Sequence, residues 1–287
     1  MKLLITGAGG MLGQDIVSVF KDAGWEVVAT DREELDITDR MDVLSFVRNL
    51  SPDLIINTAA YNFVDNVEDP QMYPIAYAVN AEGPRNLAEA ANDIGVRFVH
   101  YSTDYVFAGD KPDGYCEQDQ PAPISKYGET KLAGERFVEN VGGDYLICRL
   151  SKIFGRPGAS EHCKESFVAL MLRLAAEKPE LKIVHEEVGS PTYTPDVAVR
   201  TFEMIKNNVE PGIYHVVNDG DGVTWYEFAE EVFDLAGVTT PRVPVSSAEF
   251  PKPAARPKFA ALNNTKLAPL RSRREALQEF IDLLDRG

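Results

Sequence analysis

The sequence has 287 residues, 29 basic and 45 acidic, for a formal net charge of −16. That balance repels nucleic acid and anionic membrane, yet it leaves room for an anionic small molecule in a locally positive site. With 44% hydrophobic and 26% charged residues, the composition is that of an ordinary globular protein of one large or two modest domains.

The chain opens on an apolar run, Lys2-Leu3-Leu4-Ile5-Thr6, which reads as a buried parallel strand. The next stretch, Gly7-Ala8-Gly9-Gly10-Met11-Leu12-Gly13, leads into helical periodicity from Gln14. Glycines at 7, 10 and 13 suit a tight turn, a close backbone approach to phosphate, and close helix–strand packing. A helix N-terminus there faces a pyrophosphate with free N–H groups. Gly7, Gly10, Met11, Leu12 and Gly13 are therefore candidate cofactor residues. A second strand, 26–30, ends at Asp31-Arg32. An acidic residue about 20 positions past the glycines is placed to bind the ribose 2′-OH of NAD, whereas Arg32 can instead hold the 2′-phosphate of NADP. Asp36-Ile37 follows, placed to flank the adenine.

A helix over about 39–50 precedes the strand Leu54-Ile55-Ile56-Asn57. The small-residue turn Thr58-Ala59-Ala60-Tyr61 then lies at a strand's carboxyl end, where open α/β sheets bind ligands. A long helical stretch (about 72–93) carries Asn80, and Pro84 interrupts it. Asn80 reads equally as a functional group or an ordinary helix residue. A fourth strand, 96–101, brings Ser102-Thr103-Asp104 to the same edge, with His100 as a packed core residue. Ser125-Lys126-Tyr127-Gly128-Glu129-Thr130-Lys131 comes next. Tyr127 and Lys131 are four apart, on one helix face. A neighbouring ammonium favours phenolate, so the spacing predicts a lowered Tyr127 pKa. Thr103, Tyr127 and Lys131 beside a dinucleotide form a proton-delivery set for hydride transfer to a carbonyl.

These residues resemble the extended short-chain dehydrogenase/reductase superfamily, and within it the dTDP-4-dehydrorhamnose reductase family. The resembling segments include Asn57 to Tyr61, Val79 to Ala88, His100 to Phe107, Tyr127 to Glu135, Gly189 to Thr192, Gly212 to His215, and Ala255-Arg256-Pro257 with Leu262 to Leu267. The resemblance implies NADPH or NADH as cofactor and a nucleotide-activated 4-keto-6-deoxy sugar as substrate. It implies that Tyr127 protonates the C4 oxygen, Thr103 hydrogen-bonds it, and Lys131 holds the nicotinamide ribose. Ala59, Ala60, Tyr61 and Asn80 fall to the cofactor, and Val64, Asp104, Tyr105, Lys152 and Arg256 to the substrate. Ser151-Lys152-Ile153-Phe154-Gly155 departs from a family segment that normally reads Ser-Trp-Val-Tyr-Gly, so a cation stands where relatives place a stacking plate.

The polar loop 156–164 holds His162-Cys163 between Glu161 and Glu165, residues too adjacent to converge on one metal ion. An amphipathic helix over 166–177, a helix over 195–205, a strand over 213–217 and a helix capped by Thr224 with Glu227 follow. The proline-rich stretch 241–259 reads as an extended, semi-rigid segment. The expected fold is α/β: a doubly wound parallel-sheet Rossmann domain over 1–150, with 190–217 returning to it. A smaller interleaved C-terminal substrate domain takes 151–189 and 218–287.

Cys116, Cys148 and Cys163 show neither metal-ligand nor disulfide-framework spacing. There is no signal-peptide pattern, and no apolar run approaches the ~18–20 residues of a membrane span. The expectation is a cytoplasmic enzyme with a nucleotide-sugar substrate and no nucleic-acid or membrane partner. Some relatives dimerise through a metal site whose ligands have no match here, which leaves a homodimer open and assigns no metal. Two other functions fit the same scaffold. One is a reductase, epimerase or dehydratase of another nucleotide sugar, although dehydratases usually place Asp-Glu where Asp104-Tyr105 stands. The other is a non-catalytic regulatory subunit resembling the methionine adenosyltransferase β subunit.

Overall fold

The computed structural model describes residues 1–159 and 165–284; the His162-Cys163 pair lies outside the described residues. Its centre is a six-stranded parallel sheet. The chain lays down β1 (Lys2–Thr6), α1 (Met11–Asp22), β2 (Glu26–Thr30), α2 (Arg40–Leu50) and β3 (Leu54–Asn57). It continues through α3 (Tyr73–Tyr77), α4 (Gly83–Ile94), β4 (Arg97–Thr103), α5 (Lys126–Val141) and β5 (Tyr145–Leu150). The strands are short and apolar because helices cover both faces. Leu3, Ile5, Ile16, Phe20, Ile56 and Val99 pack one side, and Leu4, Val43, Ile55, Leu87, Phe98 and Ile147 the other.

The sheet order changes direction at β1. β2 pairs on one side of β1 and β3 on the other, followed outward by β4 and β5. This switch point opens a crevice at the carboxyl ends of β1 and β3. The sheet is completed from far along the chain. After β6 (Ile153–Phe154), α6 (Phe167–Glu177), β7 (Leu181–Val184), β8 (Val188–Gly189) and β9 (Thr192–Tyr193), helix α7 (Thr194–Lys206) packs on α1. β10 (Gly212–His215) then pairs in parallel with β5.

A second lobe is built from β11 (Val223–Thr224), α8 (Trp225–Ala236), β12 (Arg242–Val245) and α9 (Arg273–Leu284) together with α6 and β7. Its own core holds Phe154, Val168, Met171, Phe228, Phe233, Leu277 and Phe280. Thr224 caps α8 as the spacing predicts: its hydroxyl accepts from the Glu227 amide, and the Glu227 carboxylate accepts from the Thr224 amide. Thr224→Ala removes one arm of that reciprocal cap and lowers stability by about 1 kcal/mol, measurable as a lower urea midpoint with an unchanged slope.

Two features differ from the sequence expectation. The long helix near Asn80 is broken not at Pro84, which sits harmlessly in the first turn of α4, but by a π-helical turn over Ala78–Glu82. The wider turn lets the Asn80 carbonyl approach α5, where a Cβ on Gly134 would come within 2.2 Å of it. The proline-rich stretch is not all extended coil. Arg242–Val245 pairs in parallel with β7, and Pro244 is tolerated because the ladder has only two strands. β7, β12 and α9 went unassigned from sequence.

Candidate active site

The glycine turn after β1 is shaped by backbone contact. Gly7 has φ +72, and a Cβ there would lie 2.4 Å from the Ala59 nitrogen, so the turns after β1 and β3 touch. A Cβ on Gly13 would meet the Gly7 carbonyl at 2.3 Å. Gly10 is the N-cap of α1 and supplies no side-chain cap, which leaves the first N–H groups of that helix for an anion. The Leu12 side chain is in the core, so Leu12 reaches a ligand only through its backbone. Gly7→Val forces a β-branched side chain into φ > 0 and into Ala59. The expected outcome is loss of NADPH binding by fluorescence titration, and retained affinity would contradict the turn's role.

Asp31 directly follows β2 and folds back onto the turn, its carboxylate accepting from the Gly9 amide at 3.0 and 3.2 Å. Arg32 points to solvent and is ion-paired with Asp36 at 3.4 Å. Ile37 is buried beneath this edge: a Cβ on Gly83 would lie 2.6 Å from it, and Asn86 donates to its carbonyl. Asn80 is fully buried. Its amide accepts from the Tyr61 N–H at 2.8 Å, and donates to the Tyr61 carbonyl at 3.1 Å and to Thr130. Asn80 therefore acts on the cleft by fixing the backbone of Tyr61, beside Ala59 and Ala60.

Thr103 is the last residue of β4, Tyr127 lies in the first turn of α5, and Lys131 one turn later. Ser125 caps α5 by accepting from Gly128. A Cβ on Gly128 would lie 2.3 Å from the Tyr105 carbonyl, so this glycine lets α5 press against the 3₁₀ turn Asp104–Val106. Tyr127 packs with Val67, Ala76, Val64, Tyr61 and Tyr105; the Tyr105 ring stands edge-on to it at 5.5 Å. The Tyr127 hydroxyl donates to Asn62 Oδ1 at 3.3 Å.

The lowered tyrosine pKa expected from the Tyr–Lys spacing is not what the structure shows. Burial pushes the Tyr127 phenol well up, the Asp104 carboxylate adds to this, and the Thr103 hydroxyl works against it. Lys131 is turned instead to the Tyr101 carbonyl, 2.8 Å away. Burial brings its ammonium down to about 8, against an upward pull from Glu135. Shared helix face does not guarantee that the two polar ends meet.

Asp104 is buried and fully engaged. It accepts from Thr103 at 2.9 Å and from the Ser151 hydroxyl at 2.6 Å, and Ser151 in turn accepts from the Ser190 amide. Lys152 adopts a left-handed backbone, φ +42, and its ammonium turns into the second lobe. It donates to the Glu187 carbonyl at 2.6 Å and the Val223 carbonyl at 3.0 Å, 4.1 Å from the centre of the Trp225 ring. Burial lowers it to about 7. The Trp225 ring that Lys152 covers donates its indole N–H to Glu187. Arg256 is gripped bidentately by Asp65 at 2.6 and 2.7 Å. It lines a pocket of about 310 Å³ with Glu187, Lys252 and Lys258. Asn62, Asp65, Ser151 and Glu187 were not singled out from the sequence. Asn62 follows the β3 turn and was accessible to the same strand-end logic, whereas Ser151 meets Asp104 across 47 residues and no spacing signals it.

Among the described residues, no group of three or more His, Cys, Asp or Glu is placed to hold a metal, and no helix is long and apolar enough to cross a membrane. His100 is a core residue as expected: burial holds it neutral, and Nδ1 pairs with the Asn57 amide.

A doubly wound parallel sheet with a glycine turn after β1, and with Thr103 and Tyr127 at the carboxyl end of β4 and the start of α5, is the architecture of the extended short-chain dehydrogenase/reductase class. The model of the family described as "RmlD substrate binding domain" matches residues 1–286, and the chain belongs to that family. It is 39% identical to a dTDP-4-dehydrorhamnose reductase from Mycolicibacterium smegmatis, over 98% of this chain and 85% of that one. It superposes with a TM-score of 0.92 on a dTDP-4-dehydrorhamnose reductase from Clostridium acetobutylicum, 40% identical, over 99% of this chain and 100% of that one. A Bacillus anthracis dTDP-4-dehydrorhamnose reductase in complex with NADP gives 0.91 at 37% identity, over 98% and 99% of the two chains.

Proposed function

We propose that this chain, an NAD(P)H-dependent oxidoreductase, reduces the C4 keto group of a nucleotide-activated 6-deoxy sugar in the cytoplasm. The substrate that its relatives support best is dTDP-4-dehydro-L-rhamnose, which would give dTDP-L-rhamnose. The observation carrying this reading is the Tyr127 phenol, buried at the start of α5 next to the β4 end that carries Thr103, with burial pushing its pKa up.

The glycine turn fits a dinucleotide: Gly7 and Gly13 let the backbone close tightly on itself, and Gly10 leaves the α1 N-terminus without a side-chain cap. The α1 N-terminus and Gly7, Gly10 and Gly13 would hold the pyrophosphate, Asp31 and Arg32 the adenosine ribose, and Lys131 the nicotinamide ribose. Bound nicotinamide supplies the hydride. Tyr127 supplies the proton: a phenol held above its usual pKa stays protonated at neutral pH and gives its proton only as alkoxide character develops on the sugar oxygen. The carbonyl oxygen takes over the acceptor role that Asn62 plays toward Tyr127. Arg256, Lys252 and Lys258 offer positive charge for the diphosphate, with Arg256 pre-oriented by Asp65.

The test is a panel of nucleotide 4-keto sugars, each incubated with NADPH and with NADH while cofactor oxidation is followed. Turnover is expected with the dTDP-4-keto-6-deoxy sugar. No turnover with any member, together with co-purification of an adenosyltransferase, would replace this reading by a regulatory one.

A further inference from the structure

We propose that Glu187 is a specificity-determining residue of the substrate pocket: locked from behind by Trp225 and Lys152, its carboxylate accepts hydrogen bonds from hydroxyl groups of the bound nucleotide sugar. This rests on the reading of the chain as a keto-sugar reductase.

Glu187 directly precedes β8 and lines the pocket of about 310 Å³ that also holds Arg256, Lys252 and Lys258. Its side chain and its backbone are both held. The Trp225 indole N–H donates to Oε2 at 3.0 Å, and the Lys152 ammonium donates to the backbone carbonyl at 2.6 Å. The same ammonium lies over the Trp225 ring and donates to the Val223 carbonyl, so it ties both holders of Glu187 together. The Lys152 stem runs close against β8, where a Cβ on Gly189 would lie 2.7 Å from its Cε. The following residue is fixed as well: the Val188 amide donates to the Lys258 carbonyl, and the Val188 carbonyl accepts from the Ala260 amide. A side chain restrained in this way has little freedom left to lose when a ligand arrives.

The other carboxylate oxygen, Oε1, is the one left for a ligand. Among the described residues, the contact it makes is with the Lys252 ammonium at 3.8 Å, on a side chain 39% exposed. That is past hydrogen-bond length, and an exposed pair of this kind is worth little. The Glu187 side chain itself is only 10% exposed. A carboxylate this buried costs free energy unless its oxygens are bonded. Neighbouring Glu186 is different: its carboxylate already accepts from the Ser246 hydroxyl and from the Ser247 amide and hydroxyl.

The chemistry of the donor decides what Oε1 takes. A carboxylate is an acceptor alone, so its ligand must bring an O–H or N–H. Diphosphate oxygens bring neither and are repelled; the cations of the pocket suit them. A hydroxyl gives a charge-assisted bond, about twice as strong as a neutral one. The pocket thus divides its ligand, with Arg256 and the lysines for the diphosphate and Glu187 for hydroxyls. The same charge acts against a sugar that carries a carboxylate of its own.

The test reads binding without turnover. Wild type and Glu187→Ala are titrated by calorimetry with dTDP and with dTDP-glucose, and thermal unfolding checks that the variant is folded. In the variant, dTDP-glucose is expected to lose about 10–100-fold in affinity while dTDP is unchanged, which places the hydroxyl on the sugar. A loss shared by both ligands but absent for 3′-deoxy-dTDP supports the proposal equally and places the hydroxyl on the nucleoside. An equal loss for all three ligands marks a collapsed pocket and overturns it, as does no loss at all. Glu187→Gln keeps an acceptor for the Trp225 indole and removes only the charge, and it serves if the alanine variant is unstable. In it, dTDP-glucuronic acid gains about tenfold relative to dTDP-glucose; no gain overturns the proposal. A wild type that binds these ligands yet reduces no keto sugar would sink the assigned reaction and leave the binding comparison standing.

Discussion

Tyr127→Phe is expected to lower kcat for keto-sugar reduction by about 10²–10⁴-fold, the usual contribution of a positioned general acid, with NADPH affinity close to wild type. The phenol is surrounded by Val67, Ala76 and Tyr105, contacts that phenylalanine keeps, so only the proton is lost. Stopped-flow single-turnover measurements separate this from slow product release. Wild-type rates in the variant would remove Tyr127 from the chemistry.

Arg149→Met is expected to be the most damaging single change to stability outside the cleft. Arg149 and Glu135 form a bidentate pair at 2.7 and 2.9 Å, each about 1% exposed. The guanidinium lies 5.0 Å from the centre of the Phe107 ring. Removing the cation strands a buried carboxylate between α5 and β5 and costs about 3–5 kcal/mol. Converting both partners to apolar residues, as in Arg149→Met with Glu135→Leu, recovers most of the loss, because the desolvation penalty then disappears from both sides. Chemical denaturation of the single and double variants distinguishes the two cases. A double variant as unstable as the single one would show that packing, not charge, governs the site.

The glycine turn, the strand-end hydroxyl and the Tyr127–Lys131 helix face were legible in the sequence because each is a local pattern tied to backbone geometry. Strands of four to seven residues between helices announced the parallel sheet for the same reason. What escaped was decided by packing across the chain. The direction of the Tyr127 shift depends on burial and on Asp104 rather than on the lysine one turn away. Lys152 reads as a cleft residue until its left-handed backbone turns the ammonium toward Glu187 and Val223. Arg256 reads as a substrate contact, and nothing in the sequence signals that Asp65, 191 residues earlier, grips it. β7 and β12 have four residues each and pair only with each other, too short a run for the Leu181-Lys182-Ile183 alternation to stand out from a loop.

The late arrival of β10 bears on synthesis. β5 ends at Leu150, but its outer neighbour begins only at Gly212. At a translation rate of about 5–20 residues per second, those roughly sixty residues take about 3–12 s. Throughout that interval a nascent chain has one ladder of backbone amides and carbonyls open beside β5, a template for pairing with another chain. The same interval leaves α1 without α7, its packing partner. Slowing elongation between these points should increase aggregation of newly made protein, whereas the finished molecule, with β5 paired to β10, should be indifferent to the same conditions.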